Sequence, residues 1–333
     1  MKTLISFIFI FLFFTNAFTQ SFYPIERNKS RFEAKIRSNR VKQKSKYIFS
    51  NSQKLLEEQI AYNKIGQPVL VKNNKNSYAS ITQYEYDKFG RLSNEKTEAL
   101  GSNFLKALST RFPDNNGGFL VPPNSNGGAI IISYQYNEKN QIVNKEIVLN
   151  YFGKSASEIT GTEKYHIINE YNDEGNFVAA YFLKDDKKQK FKERLIKKDT
   201  VQYNFLDPEG KLLAEEIYDV PNKIYLQRKY LLSNPLNEPS FMYYKHFKKD
   251  YRLLKEERYI KDADTDNYIN RNTYLMYDSH LDLSDIVEMD ENNQLIERTR
   301  NHYNDKGLLI NEVIMSPSNV VLDRTEYIYE YYE

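Results

Sequence analysis

The run Asp262-Ala263-Asp264-Thr265-Asp266-Asn267-Tyr268-Ile269 is the sharpest local pattern in the chain. Oxygen ligands at alternate positions suit Ca²⁺, a hard cation that gathers about six to eight oxygens. Asn267 could take the conformation usually given to Gly in such a loop. Two features count against a site. The twelfth position is Thr273, where a bidentate Glu normally anchors the ion, and the flanks read as strands rather than helices. The other reading is an acidic hairpin loop between Glu257–Lys261 and Tyr268–Met276. Asp262, Asp264 and Asp266 are thus the candidate metal ligands and Ca²⁺ the candidate ion; no other cofactor is expected.

Other chemistry is hard to place. The sequence has no Gly-x-Gly-x-x-Gly, no Walker-type phosphate loop, no Gly-x-Ser-x-Gly and no His-Glu-x-x-His. It has no Cys, which excludes thiol catalysis, Cys-based metal sites and disulfides. His166, His246, His280 and His302 are scattered and lack a paired base or ligand motif. Carboxylates are abundant, but no spacing picks out a glycosidase pair. No catalytic residue is expected.

What the residues do specify is a turn. Tyr303-Asn304-Asp305-Lys306-Gly307-Leu308-Leu309 reads as a hairpin tip. Tyr ends an incoming strand, Asn or Asp bonds a backbone N–H two residues on, and two polar residues fit a type I turn. Gly supplies φ > 0 and closes a G1 bulge, and an aliphatic residue starts the outgoing strand. Copies begin at Tyr62, Tyr86, Tyr136 and Tyr171. A copy at Tyr203 carries an insertion; weaker ones begin at Tyr277 and Met289, and Tyr244 is a further candidate head. The positive-φ positions are then Gly66, Gly90, Asn140, Gly175, Gly210, Asn293 and Gly307. Asn tolerates the left-handed region better than most residues. Between turns, period-two alternation sets Thr82, Tyr84 and Tyr86 on one face, and Ile130, Ile132, Tyr134 and Tyr136 on another.

Tyr is in excess, with 28 residues among 333, which fits sheets wet on at least one face. Residues 1–20 read as a secretory signal peptide: Lys2 is charged, and Leu4 to Phe14 is apolar but shorter than the ~20 residues a span needs. No later apolar run is long enough to span a bilayer as a helix. Net charge is +2, but residues 21–50 carry nine Lys/Arg against two Glu. Residues 21–51 therefore read as a basic leader, helical or disordered, serving either as an arm for anionic polymers or as a solvated linker. Residues 52–333 are the repeat domain. An irregular insertion at 99–128 holds a short candidate helix, Phe104–Leu108, and Gly/Pro-rich loops; it reads equally as a functional loop or a tolerated excursion. Lys187 to Lys192 is a second basic cluster, expected at a hairpin edge, where lysines block unwanted pairing.

Tyr86-Asp87-Lys88-Phe89-Gly90-Arg91-Leu92 resembles a YD repeat, the unit of RHS-type proteins. The resemblance runs from about residue 52 to the C-terminus. It implies an all-β fold, tandem antiparallel hairpins joined into a long, twisted or curling sheet. In that family the sheet wraps toxic cargo or forms a surface scaffold, and carbohydrate binding is attributed to it. This chain is shorter than the shell-forming members and has no separate C-terminal toxin. The expectation is an exported, non-enzymatic binding or structural scaffold, secreted, periplasmic or at the cell surface. Its expected partner is a surface glycan or envelope protein, with no specific nucleic acid and no membrane span after leader removal. The alternatives are an envelope carbohydrate-active enzyme with an unrecognised carboxylate pair and an accessory of an RHS-type toxin system.

Overall fold

The computed structural model describes residues 27–50, 53–75, 78–100, 126–153, 158–184, 187–197, 199–207, 209–230, 239–262 and 267–333. The expected signal peptide, the candidate helix Phe104–Leu108 and most of the 99–128 insertion lie outside them. Among the described residues one helix, α1 (Arg27–Ser38), precedes twenty strands. They are β1 (Val41–Ser50), β2 (Gln53–Tyr62), β3 (Pro68–Lys75), β4 (Tyr78–Tyr86), β5 (Leu92–Leu100), β6 (Gly127–Tyr136) and β7 (Ile142–Phe152). There follow β8 (Ile159–Tyr171), β9 (Phe177–Lys184), β10 (Lys187–Lys197), β11 (Thr200–Leu206), β12 (Leu212–Asp219), β13 (Ile224–Tyr230) and β14 (Pro239–Phe247). The last are β15 (Leu253–Lys261), β16 (Tyr268–Tyr277), β17 (Leu283–Met289), β18 (Leu295–Tyr303), β19 (Leu309–Met315) and β20 (Val321–Tyr331).

Each strand pairs antiparallel with the next, and β20 returns to pair with β1 over Val41↔Tyr331 to Ile48↔Thr325. The tandem hairpins therefore form a closed barrel rather than an open curling sheet, with neither terminal strand left at an edge. One reading of the sequence needs correction here. Residues 41–50, assigned to the leader, are a wall strand. Their lysines hid the alternation, because Lys44 and Lys46 face inward and meet Glu58 at 3.9 Å and Glu57 at 2.6 Å. The cluster Lys187 to Lys192 does begin at a hairpin edge, because Lys187 to Lys190 pair with β9 alone and β11 joins only at Lys192. Lys188 bonds Glu170 at 2.8 Å on the outer face and Lys192 is buried on the inner one.

Among the described residues ten turns share one geometry. In the first, Asn63 N–H donates to Gln67 O at 2.8 Å and Gly66 N–H donates to Asn63 O at 2.9 Å. Asn63 Oδ1 also accepts from the Ile65 and Gln67 N–H groups at 3.1 and 3.0 Å. Gly66, Gly90, Asn140, Gly175, Gly210, Asn293 and Gly307 all have φ between 58° and 83°. Two turn heads sit three residues beyond their expected places. The Tyr203 copy has no insertion, because its head is Leu206 and Tyr203 lies within β11. The Tyr244 copy is headed by Phe247, and Tyr251 takes φ 61°. Leu281 does the same in the Tyr277 copy, at φ 64°, and a tenth turn, Ser316 to Asn319, has the same form.

The tyrosines at strand ends do more than pack. Tyr86 Oη donates to Pro68 O at 2.8 Å, Tyr136 Oη to Leu92 O at 2.8 Å and Tyr171 Oη to Ile142 O at 2.9 Å. Tyr303 and Tyr329 repeat the bond on Leu283 O and Leu309 O at 2.8 Å. Each of these strands is thus fastened to the hairpin before it.

Candidate functional site

The two faces of the wall differ, and the difference follows from alternation. On β5 the buried residues are Glu95, Thr97 and Ala99; on β7 they include Lys145, Ile147, Leu149 and Tyr151. Their in-register partners Ile130, Ile132, Tyr134 and Tyr165 lie on the same face, which is the inner one. The pattern continues through Phe177, Tyr203, Phe205, Tyr218 and Tyr225, whose rings pack from strand to strand along the wall. Two lysines are set among these rings. Lys145 Nζ lies 5.5 Å from the Tyr134 ring, and Tyr134 Oη donates to Glu95 at 3.1 Å. Burial pushes the Lys145 ammonium down to about 8, with Glu95 opposing the shift. Lys192 Nζ lies 4.5 and 4.7 Å from the Phe205 and Tyr203 rings; burial lowers its pKa and raises that of Glu216.

The outer face is hydrophilic. Gln202, Glu215 and Arg228 form a chain across β11, β12 and β13, with two bonds of 2.8 Å. Ser133, Asn94 and Glu85 do the same across β6, β5 and β4 at 2.7 and 3.0 Å. Asp285 holds Arg298 at 2.7 Å and Arg300 at 3.4 Å.

Around β14 to β17 the inner wall changes character. Register carries the inner face from Tyr225 to Lys245 and Glu256, from Gln227 to Tyr243, Arg258 and Arg271, and from Lys229 to Phe241, Ile260 and Ile269. Here the inward side chains are accessible: Arg258 and Arg271 are 47% and 56% exposed, and Ile260 and Ile269 are 50% and 46%. Arg271 and Ile269 stand past the end of β17, whose ladder with β16 stops at Asn272↔Met289, so this strip lies at the rim, where the lumen opens to water. Twenty strands spaced about 4.8 Å apart make a perimeter of roughly 100 Å, wider than lining side chains fill. Glu256 accepts from Tyr243 Oη and lies 3.7 Å from Lys245 and 3.5 Å from Arg258; Arg271 meets Glu288 at 3.1 Å. Sequence reasoning missed this constellation, although period-two alternation in β15 and β16 puts Arg258 and Arg271 on one face.

At one end of the barrel α1 enters the mouth. Ile36 is buried with Val41, Tyr62 and Leu308, and Phe32, Ile60, Tyr329 and Tyr331 pack around them. Arg31 donates to Leu281 O and His280 O at 2.7 and 2.6 Å, and Lys35 Nζ bonds both Asp282 oxygens at 2.6 Å. The helix so grips the turn in which Leu281 is left-handed.

Of the candidate calcium ligands, Asp262 closes the β15–β16 connection by donating its N–H to Asn267 O at 2.8 Å. Asp264 and Asp266 lie outside the described residues. Among the described residues no cluster of three His or carboxylate groups is set to hold a metal. The histidines are dispersed: His280 is in a turn, His246 faces Glu257 at 3.5 Å on the outer wall, and His166 and His302 lie on β8 and β18.

No family model and no curated protein matches the chain. Among solved structures it is similar to a porin-like protein from Bacteroides vulgatus ATCC 8482, at 10% identity over 87% of this chain and 98% of that one, with a TM-score of 0.32. It is similar to a chain of the Photorhabdus luminescens Tc holotoxin pore at 10% identity, over 78% of this chain and 18% of that one, with a TM-score of 0.21. A DUF1329 family protein from Desulfovibrio piger ATCC 29098 matches at 10% identity over 91% and 92%, with a TM-score of 0.18. Similarity of this order assigns neither a family nor an activity.

Proposed function

We propose that the protein is an exported, non-enzymatic binding scaffold of the cell envelope that works in water and takes its ligand inside the ring. The observation that carries this reading is the polarity of the wall. A barrel embedded in lipid presents an apolar band outward, and each Arg or Lys at mid-depth on that face costs about 2–4 kcal/mol. Here the outer face carries Gln202, Glu215, Arg228, Asp285 and Arg298, while apolar and aromatic side chains line much of the inside. No helix among the described residues is long and apolar enough to cross a bilayer. The apolar run at residues 4–14 supports export, and the YD-repeat resemblance supports a scaffold that binds surface glycans.

The test is phase partition of the leader-free chain in Triton X-114, followed by a glycan-array screen. An aqueous scaffold stays in the water phase and is monodisperse without detergent. Recovery in the detergent phase would overturn the reading.

A further inference from the structure

The accessible part of the lumen is laid out in rows. Phe241, Ile260 and Ile269 stand side by side across β14, β15 and β16, in unbroken register. The next row toward the helix end is Tyr243, Arg258 and Arg271, and the one after that holds Lys245, Glu256 and Thr273. Two features of this layout are costly for a wall that does nothing. Arg258 and Arg271 are directly opposed in the ladder, an arrangement that like charges disfavour. The isoleucine pair beside them is half exposed, although the barrel has apolar clusters elsewhere that bury such side chains. Glu256 and Glu288 hold the two guanidiniums from the far side, at 3.5 and 3.1 Å, and the Arg258 guanidinium lies 5.7 Å from the Tyr243 ring.

We infer that this strip binds an amphiphile with a single anionic head, its head on Arg258 and Arg271 and its apolar chain on Phe241, Ile260 and Ile269. The inference rests on the reading of the lumen as the ligand compartment. Arginine forks suit carboxylate and phosphate oxygens, and adding an anion between two opposed cations relieves their repulsion. An apolar chain on the neighbouring row covers side chains that otherwise face water. Lys229, whose Nζ lies 5.3 Å from the Phe241 ring, borders the apolar row.

The experiment is titration calorimetry of the whole leader-free chain with decanoate, decyl phosphate, decyl maltoside and propionate, all below micelle formation. Expected is binding of one or both anionic decyl compounds, about tenfold weaker binding of the neutral maltoside, and none of propionate. Which head group is preferred separates a fatty acid from a phospholipid-like source. Arg258→Gln with Arg271→Gln should weaken the anionic ligand about tenfold and leave decyl maltoside unchanged. Ile260→Ser with Ile269→Ser should weaken both. Arg300→Gln, on the outer wall, is the control, and melting curves check that every variant is folded. Equal binding of decanoate, decyl phosphate and decyl maltoside, no binding of any decyl compound, or an arginine pair variant that binds as wild type would each overturn the inference. A chain that stays in the aqueous phase but fails here retains the scaffold reading; one that partitions into detergent loses both.

Discussion

Single side chains decide how this wall tolerates charge and curvature. Lys145 is the clearest case of a buried cation, with a folded pKa near 8 against 10.5 for the free group. The folded state therefore binds fewer protons than the unfolded chain between those values, and stability rises with pH across that window. The shift corresponds to a penalty on the order of 3 kcal/mol at neutral pH. Lys145→Met should thus be more stable than wild type at pH 7, and the gap should narrow as pH approaches 10; denaturant unfolding at several pH values measures it. A variant less stable than wild type at pH 7 would show that the Glu95 partnership outweighs burial. The turn glycines give a second test, because their surroundings differ while their φ does not. A Cβ at Gly66 would lie 2.2 Å from Arg37 Cγ and 3.1 Å from Arg37 Cα, whereas Gly210 has nothing within 4 Å. Asn accepts φ near +80° at either site. Gly210→Asn should leave the melting temperature nearly unchanged, and Gly66→Asn should cost about 1–3 kcal/mol by displacing the helix.

At the scale of the element, the fastening between hairpins is the distinctive device. Tyr303 Oη and Asn301 Nδ2 both donate to Leu283 O, at 2.8 and 2.9 Å; Tyr171 and Asn169 repeat this on Ile142 O. Burial pushes the Tyr171 phenol up to about 12, so it remains a donor well beyond neutral pH. Tyr303→Phe should cost about 1 kcal/mol, and Asn301→Ala with Tyr303→Phe more than the two singles together, because Leu283 O then loses both donors. Thermal unfolding of the three variants checks this, and strict additivity would mean that water replaces the lost donors. The turns themselves were largely legible from sequence, since an Asx side chain and a left-handed Gly or Asn at fixed spacing have one cheap solution. Where Tyr251 and Leu281 hold that conformation, chemistry gave no signal, because the strain is offset by contacts made elsewhere. The misplaced heads at Tyr203 and Tyr244 have one cause. An aromatic within a strand, Tyr203 on the inner face or Tyr244 on the outer, looks like an aromatic at a turn until register distinguishes them.

At the scale of the whole molecule, closure depends on β1, the strand that the sequence least advertised. Nothing local links it to β20; Ser45 stands opposite Ile328 across the join. The chain has no native Cys, so Ser45→Cys with Ile328→Cys should form a single disulfide under mild oxidation. Mass spectrometry would detect it, and loop closure of that length should stabilise by roughly 5–6 kcal/mol in the chain-entropy relation. Absence of the bond would show that the ring is open in solution. The inner-wall arginines were unreadable for a related reason. Their meaning comes from facing each other and the lumen, which only the ring supplies. The same join has a consequence in time. Every other strand pair can form as soon as its hairpin has been synthesised, but β1, paired early with β2, waits for its second partner nearly three hundred residues later. Until then β1 carries an unpaired edge, and α1 can grip neither Leu281 nor Asp282. The nascent protein is therefore a growing sheet with one early and one advancing edge, most exposed to chaperones, proteases and sister chains just before its last strand docks.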